Sequence, residues 1–276
     1  MPSAALQAAP VRRVRRTIEV LVFAFLWIAI GLALHLTAIP YLLVGVPLTF
    51  AFQWGIRKEP IVALWSRNEA RFKLSKRGWL LAGLVAAFPC YSLLMDIRAG
   101  IAVSDLAMGI AAVLGAIPAA YCVCNFHREM FWPLVCCLVV AGGMGVLVLV
   151  AGGIHFGLSH DTFCHRLVTG GIGFLMNFPL MFVVEEVSFR GALDSHIHHL
   201  GESGGVWTAI LVSSLWGLWH VPLAIGSAPL AGLIMPHVVV HCLIGIPLSI
   251  YWRRSGNLVV PGAAHALVDA LRNMLQ

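Results

Sequence analysis

Residues 131–154 read FWPLVCCLVVAGGMGVLVLVAGGI and contain no charged side chain. A helix that crosses a bilayer needs about 20 apolar residues in succession, so this stretch is long enough to span a membrane. Of the 276 residues in the chain, 60% are apolar and 11% are charged, whereas about 25% of the residues of a soluble domain are charged. The composition therefore excludes a soluble domain, a coiled coil and a disordered chain, and it predicts an integral membrane protein.

Further apolar segments follow one another along the chain. They are 17–36, 40–56, 79–95, 101–122, 167–198, 206–222, 228–250 and 257–275, of which 40–56 is short. We therefore expect an all-α polytopic membrane protein, a bundle of about eight or nine transmembrane helices.

The charged residues lie mainly between the apolar segments and indicate the topology. If the N-terminus is cytoplasmic, every Lys and Arg except Arg98, Arg166 and Arg272 falls on the cytoplasmic side, as the positive-inside rule requires. The net charge of +6 is therefore explained by topology. The sequence contains no basic patch with interleaved aromatic residues, which is the pattern that would predict nucleic-acid binding. Short loops and the lack of an organelle signal lead us to expect a bacterial inner (cell) membrane.

The organisation of the chain changes near residue 167. Before this point the apolar segments hold almost no ionisable groups, and after it acids and histidines enter them repeatedly. A charge at the centre of a bilayer costs about 2.5 to 3.5 kcal/mol, so these groups indicate function. We divide the chain into a basic cytoplasmic tail (1–16), N-terminal transmembrane helices (17–166) and a catalytic helical core (167–276), with 57–78 as the one sizeable polar loop.

The first cluster of such groups is Glu185-Glu186-Val-Ser-Phe-Arg190. Glu186 and Arg190 are four residues apart, so they share a helical face and can form an ion pair. Glu185 is rotated by about 100° from Glu186. The spacing predicts that one acid is held by the arginine and that the other is free for chemistry.

Two further groups fall on the following apolar segments. If a helical hairpin turns at 201–205, Glu185 and His220 each lie about 21 Å from the turn and therefore at the same depth. On the last segment His265 and Asp269 are four residues apart, so they face the same way. Three polar clusters in apolar helices predict a shared polar cavity in the middle of the membrane.

A second histidine pair, His237 and His241, competes with this interpretation. These residues are also four apart within an apolar segment, but no acid lies near them in the sequence. For this reason we expect both histidines either to be structural or to support the catalytic residues from behind, without reacting themselves.

The ordered clusters resemble a known family, the CPBP family of CAAX proteases and bacteriocin-processing enzymes. The resemblance covers about residues 167–272 and rests on Glu185-Glu186-x-x-x-Arg190, Trp216-x-x-x-His220 and His265-x-x-x-Asp269. It implies a multi-pass intramembrane glutamic endopeptidase that acts on a membrane-associated protein or peptide. It further implies that Glu185 and His220 activate a water molecule and that His265 and Asp269 stabilise the oxyanion.

Two residues depart from the family pattern. Trp216 stands where a Phe is usual, which should be harmless because either ring can form a wall of the site. Asp269 stands where an Asn is frequent. Because an ionised carboxylate cannot donate a hydrogen bond, Asp269 must either be protonated by its apolar surroundings or orient His265, and we favour the second role.

Other functions use the same residues. Two histidines and a glutamate are a common catalytic zinc set, so a zinc protease is an alternative. We favour a metal-free enzyme because the sequence has no HExxH motif. Buried Glu, His and Asp also form proton relays in transporters, and a catalytically silent peptide-binding protein is a third alternative. The sequence does not indicate the oligomeric state.

Overall fold

The computed structural model describes residues 4–67, 69, 71–101, 103–151, 160–198, 205–225 and 229–275. These residues form ten α-helices joined in places by π-helical and 3₁₀-helical turns. The helices are α1 (Ala4–Ala33), α2 (Ala38–Ala51), α3 (Lys76–Arg98), α4 (Val103–Cys124), α5 (Phe131–Ala151), α6 (His160–Leu180), α7 (Ser195–Ile197), α8 (Val206–Ala224), α9 (Leu230–Ser255) and α10 (Val259–Leu275).

Within the described residues, seven helical segments are long and apolar enough to cross a membrane. They are Arg13–Ala33, Ala38–Arg57, Lys76–Arg98, Leu106–Cys124, Arg128–Ala151, Val206–Ala224 and Leu230–Ser255. The prediction of a polytopic helical membrane protein is confirmed. The remaining two expected spans correspond to the region of α6 and α7 and to α10, which has 17 residues. Helix α1 also includes most of residues 1–16, the segment that we separated as a basic cytoplasmic tail.

The helix expected over 167–198 is interrupted, and it begins earlier than predicted. Helix α6 ends at Leu180, residues 181–184 form turns, and the chain then continues as a π-helical segment, Val187–Asp194, that is buried throughout. Pro179 lies in the last turn of α6, and its ring distorts helical geometry. π-Helical turns occur frequently at functional sites, and here the turn follows directly after Glu185 and Glu186.

The helices that carry the remaining site residues pack closely together. Helix α8 packs along α9, and α10 packs against α5, α6 and α9. Gly217 lies where α8 meets α9: a Cβ at this position would lie 2.6 Å from the carbonyl oxygen of His237. Because only a glycine leaves room there, the α8 and α9 backbones come close enough to place their histidines around one cavity.

The 57–78 loop is attached to the catalytic helices. Its 3₁₀-helical turn, Ile61–Leu64, is partly buried, and the indole N–H of Trp65 donates a 2.7 Å hydrogen bond to the carbonyl of Phe182. Ser66 forms an antiparallel bridge with Asn257. The loop therefore contacts the chain on both sides of the site, next to the break after α6 and at the start of α10.

Candidate active site

Glu185 and His220 face each other, as their equal depths predict. Glu185 Oε2 lies 4.0 Å from His220 Nε2, and the two side chains are 13% and 22% exposed. The other ring nitrogen, His220 Nδ1, lies 2.9 Å from the backbone carbonyl of Trp216. A carbonyl oxygen only accepts hydrogen bonds, so Nδ1 is the donor and the neutral ring presents an unprotonated Nε2 to Glu185.

Trp216 binds Glu185 directly. Its indole Nε1–H donates a 2.8 Å hydrogen bond to Glu185 Oε2. The sequence-based expectation that Phe and Trp are equivalent here is therefore incomplete, because a phenyl ring has no donor. Nothing in the local sequence indicated this contact, since the two residues are 31 positions apart and belong to different helices.

The indole of Trp216 is also the surface on which the other site residues meet. Its ring centroid lies 4.6 Å from that of His241 and 4.9 Å from that of His265. The guanidinium carbon of Arg190 lies 4.5 Å from the ring centroid, within the range of a cation–π interaction. Trp216 is 2% exposed, so substituting it would disturb several neighbours at once.

Glu186 and Arg190 form the predicted ion pair, and both side chains are completely buried. Arg190 Nη1 donates a 2.9 Å hydrogen bond to Glu186 Oε1, and Nη2 donates to the carbonyl of Gly245 at 3.3 Å. The same Glu186 oxygen accepts a 2.8 Å hydrogen bond from His265 Nδ1. The sequence did not predict this last contact, which connects the ion pair to the last helix.

Asp269 lies at the edge of this group. Its Oδ2 is 3.8 Å from His265 Nε2, which is beyond hydrogen-bonding distance, and its Oδ1 is 3.3 Å from Arg272 Nη2. The shortest contact that orients His265 therefore comes from Glu186. The proposed role of Asp269 stays a prediction.

His241, for which we expected a structural or supporting role, lies beside the proposed catalytic pair. Its ring centroid is 4.0 Å from that of His220, and its Nδ1 donates a 2.6 Å hydrogen bond to the carbonyl of His237. Together with the predicted residues it lines a cavity of about 280 Å³. The lining includes Glu185, Trp216, His220, His241, His265 and Asp269.

Asn257 fixes the start of the helix that carries His265. Its Oδ1 accepts a 3.0 Å hydrogen bond from the Val259 backbone N–H, which caps α10. Its Nδ2 donates to the carbonyls of Cys122 and Asn125 at 2.8 and 3.2 Å, and the side chain is fully buried. The cap thus anchors α10 to the end of α4.

The metal alternative requires at least three ligand side chains around one point. Across the part of the chain that the structure describes, no group of three His, Cys, Asp or Glu residues is arranged to hold a metal ion. His265 Nδ1 is directed instead at Glu186.

Residues 167–271 match a family model described as Type II CAAX prenyl endopeptidase Rce1-like. The resemblance to the CPBP family is confirmed over this segment. The match begins inside α6 and ends inside α10, so the CPBP-like segment contains every residue of the cavity-lining set given above. No curated protein and no solved structure matches the chain significantly. The CPBP-like segment indicates a protease of the CAAX endopeptidase type, and the apolar helices make the protein a multi-pass membrane protein.

Proposed function

We propose that the protein is an intramembrane endopeptidase in which Glu185 and His220 activate the water that attacks the peptide bond. The 4.0 Å separation between Glu185 Oε2 and His220 Nε2 is the observation that supports this most strongly. Both groups line a partly enclosed cavity, and both belong to the CPBP-like segment.

The chemistry of these two atoms suits a bridging water. The neutral His220 ring accepts at Nε2 because Nδ1 donates to a carbonyl, and an ionised Glu185 only accepts. Two acceptors at this distance are both satisfied by one water molecule that donates a proton to each. The water oxygen then keeps its lone pairs for attack on a carbonyl carbon.

The proton transfers follow from this arrangement. As the water oxygen attacks the carbonyl carbon, Glu185 accepts one of the water protons. When the C–N bond breaks, Glu185 returns that proton to the leaving amine nitrogen. A positioned base of this kind contributes about 10²- to 10⁴-fold to a reaction rate. His220 keeps the water oriented throughout, and Trp216 fixes the carboxylate.

His265 is the candidate for stabilising the oxyanion. Its Nδ1–H is engaged by Glu186, which leaves Nε2 as the nitrogen that can face the substrate. When protonated, Nε2 donates a hydrogen bond to the developing oxyanion, and such a contact is strong in a site that excludes water. Arg190 holds Glu186, so both act as positioning residues. We propose that Asp269 helps to orient His265 by charge attraction, since its Oδ2 lies 3.8 Å from Nε2 and makes no hydrogen bond to it.

We further propose that hydrolysis proceeds without a bound metal or cofactor. The substrate would be a membrane-associated protein or peptide whose cleaved bond enters the cavity. The charge distribution supports a cytoplasmic N-terminus, and the short loops are the ground on which we propose a bacterial inner (cell) membrane. A transporter is disfavoured because the amino-acid sequence offers no inverted repeat of two broken helices, a feature that many carriers contain.

Cleavage of a membrane-tethered peptide in liposomes tests the proposal. We expect the wild-type protein to release the peptide and His220→Ala to lose nearly all of this activity, because the water loses one of its two acceptors. His127→Ala is the matched control, since His127 is exposed and lies outside the cavity. Full activity of His220→Ala would contradict the proposed mechanism.

A further inference from the structure

Another cavity, of about 390 Å³, lies where α1 meets the π-helical segment that follows α2. We call it the basic pocket. Its charged lining comprises Arg15, Arg16, Glu19, Arg57, Glu59 and His196. Arg57 ends the π-helical segment Phe52–Arg57 that continues α2, and His196 lies in α7.

Of the two carboxylates that line the basic pocket, Glu19 is already engaged. Glu19 Oε1 accepts a 2.8 Å hydrogen bond from Arg15 Nε, and Glu19 Oε2 accepts a 2.7 Å hydrogen bond from His196 Nε2. Arg57 Nη1 donates to two neutral acceptors, the side chain of Gln53 and the carbonyl of Gly191.

The remaining charges leave the pocket positive. Among the described residues, neither Arg16 nor Arg57 has a carboxylate within ion-pair distance, although the exposed Glu59 lies at the rim and attracts Arg57. Two arginines at one site that form no ion pair with a carboxylate favour binding of an anion with several acceptor oxygens, and phosphate is the common one.

An apolar groove of about 430 Å³ continues from the basic pocket. The two cavities share Glu19 and Ile56. The groove runs between α1 and α2 and is lined by Ile18, Val22, Leu26, Leu48, Gly55 and Ile56, among others. At Gly55 an added Cβ would meet no atom within 4 Å, so the floor of the groove is open at this point.

The groove is placed to receive hydrocarbon. Both helices that form it are candidate membrane spans, and Ile18, Val22 and Leu26 are 52%, 59% and 48% exposed. Exposed apolar side chains are ordinary on a lipid-facing helix. What distinguishes this groove is that it ends at arginines, so one continuous site offers charge at one end and apolar surface along the rest.

We propose that the basic pocket and the apolar groove together bind one anionic phospholipid. Its phosphate diester contacts Arg16 and Arg57, and one acyl chain lies in the groove beside Gly55. Basic pockets between transmembrane helices bind anionic headgroups in this way. The proposal does not depend on proteolysis, because its residues lie outside the cavity that holds Glu185 and His220.

Lipid retention by the purified full-length protein, measured by native mass spectrometry during titration in detergent, tests this proposal. We expect dioleoylphosphatidylglycerol to bind in preference to dioleoylphosphatidylcholine. Arg16→Gln should weaken phosphatidylglycerol binding about fivefold, the effect of one basic residue near an anionic lipid. Its matched control, Arg13→Gln, removes an exposed arginine of the same helix outside the pocket and should bind like the wild type.

Blocking the groove tests the acyl-chain half of the site. Gly55→Trp should abolish the retained lipid, whereas Gly83→Trp, at an equally open glycine of α3, should keep it. A thermal unfolding curve confirms that each variant is folded, and Gly55→Leu replaces Gly55→Trp if the larger residue prevents folding.

Four results would overturn the proposal. The first is equal binding of phosphatidylcholine and phosphatidylglycerol. The second is equal behaviour of Arg16→Gln and Arg13→Gln. The third is that glycerol phosphate displaces the bound lipid at the same concentration that phosphatidylglycerol requires. That result would assign the pocket to a free phosphate compound. Displacement by an uncharged farnesylated peptide would likewise overturn it, by assigning the groove to the substrate.

Discussion

The substitution Trp216→Phe separates the two roles that the structure gives to this side chain. A phenyl ring still forms a wall of the cavity, but it cannot donate the 2.8 Å hydrogen bond to Glu185 Oε2. Without the donor, the carboxylate loses both the group that orients it and a partner for its negative charge in surroundings of low dielectric. We therefore expect the variant to fold and to cleave slowly.

The size of the effect follows from the type of contact. A hydrogen bond to a charged group contributes about 1.5 to 3 kcal/mol, and each 1.4 kcal/mol or so corresponds to a factor of ten in rate. If the bond persists through the transition state, kcat should fall about 10- to 150-fold. The KM should change little, because the walls that contact the substrate remain.

The assay is steady-state cleavage of a membrane-tethered peptide in liposomes, with kcat and KM determined separately. Trp207→Phe is the matched control, since Trp207 lies on the same helix and is 77% exposed. A thermal unfolding curve distinguishes loss of catalysis from loss of structure. The reasoning is refuted if Trp216→Phe retains the wild-type kcat, or if Trp207→Phe loses as much activity.

Three further results are expected. Glu186→Gln should lower the unfolding free energy by about 3 to 5 kcal/mol, because it leaves a buried Arg190 without its counter-charge; an unchanged melting temperature would argue against a buried pair. Gly245→Ala should cost about 1 to 3 kcal/mol of stability through overpacking, because its Cβ would lie 2.6 Å from Ser213 Oγ and 2.7 Å from Arg190 Nη2; Gly232→Ala, in open space on the same helix, should be neutral. Cleavage should survive a strong chelator, and activity that is lost on chelation and restored by zinc would support the metal alternative.

The sequence was sufficient to predict the features that follow from helical periodicity and membrane thickness. Uninterrupted apolar segments predicted the membrane helices, and the spacing of Glu186 and Arg190 predicted their ion pair, because residues four apart share a face on any helical turn. The equal depths of Glu185 and His220 predicted that they meet. That estimate assumed a regular α-helix up to residue 198, whereas part of this region is π-helical, but the hairpin arrangement tolerates such an error.

The features that the sequence did not predict depend on how separate helices are rotated against one another. The hydrogen bond from Trp216 to Glu185 and the bond from His265 to Glu186 join residues 31 and 79 positions apart. Periodicity along one helix cannot indicate such contacts. For His241 the sequence left a structural and a supporting role open because no acid is near it in sequence, and only the structure shows that its neighbour in space is His220.

The contacts of the 57–78 loop were likewise not predictable from the sequence. The sequence identified it only as a polar loop, but Trp65 hydrogen-bonds to the chain just before Glu185, and Ser66 bridges to the residue that caps α10. A hydrophobic residue in a polar loop is compatible with many positions. Only the packed structure shows that this one supports the site.

The rate of Glu185→Gln, compared with that of Glu129→Gln, tests the central claim most directly. Gln has nearly the same shape as Glu but cannot accept the water proton, while Glu129 is an exposed carboxylate outside the cavity. With a membrane-tethered peptide in liposomes, we expect Glu185→Gln to cleave about 10²- to 10⁴-fold more slowly than the wild type and Glu129→Gln to match it. Wild-type cleavage by a folded Glu185→Gln protein would contradict the assignment of Glu185 as the base.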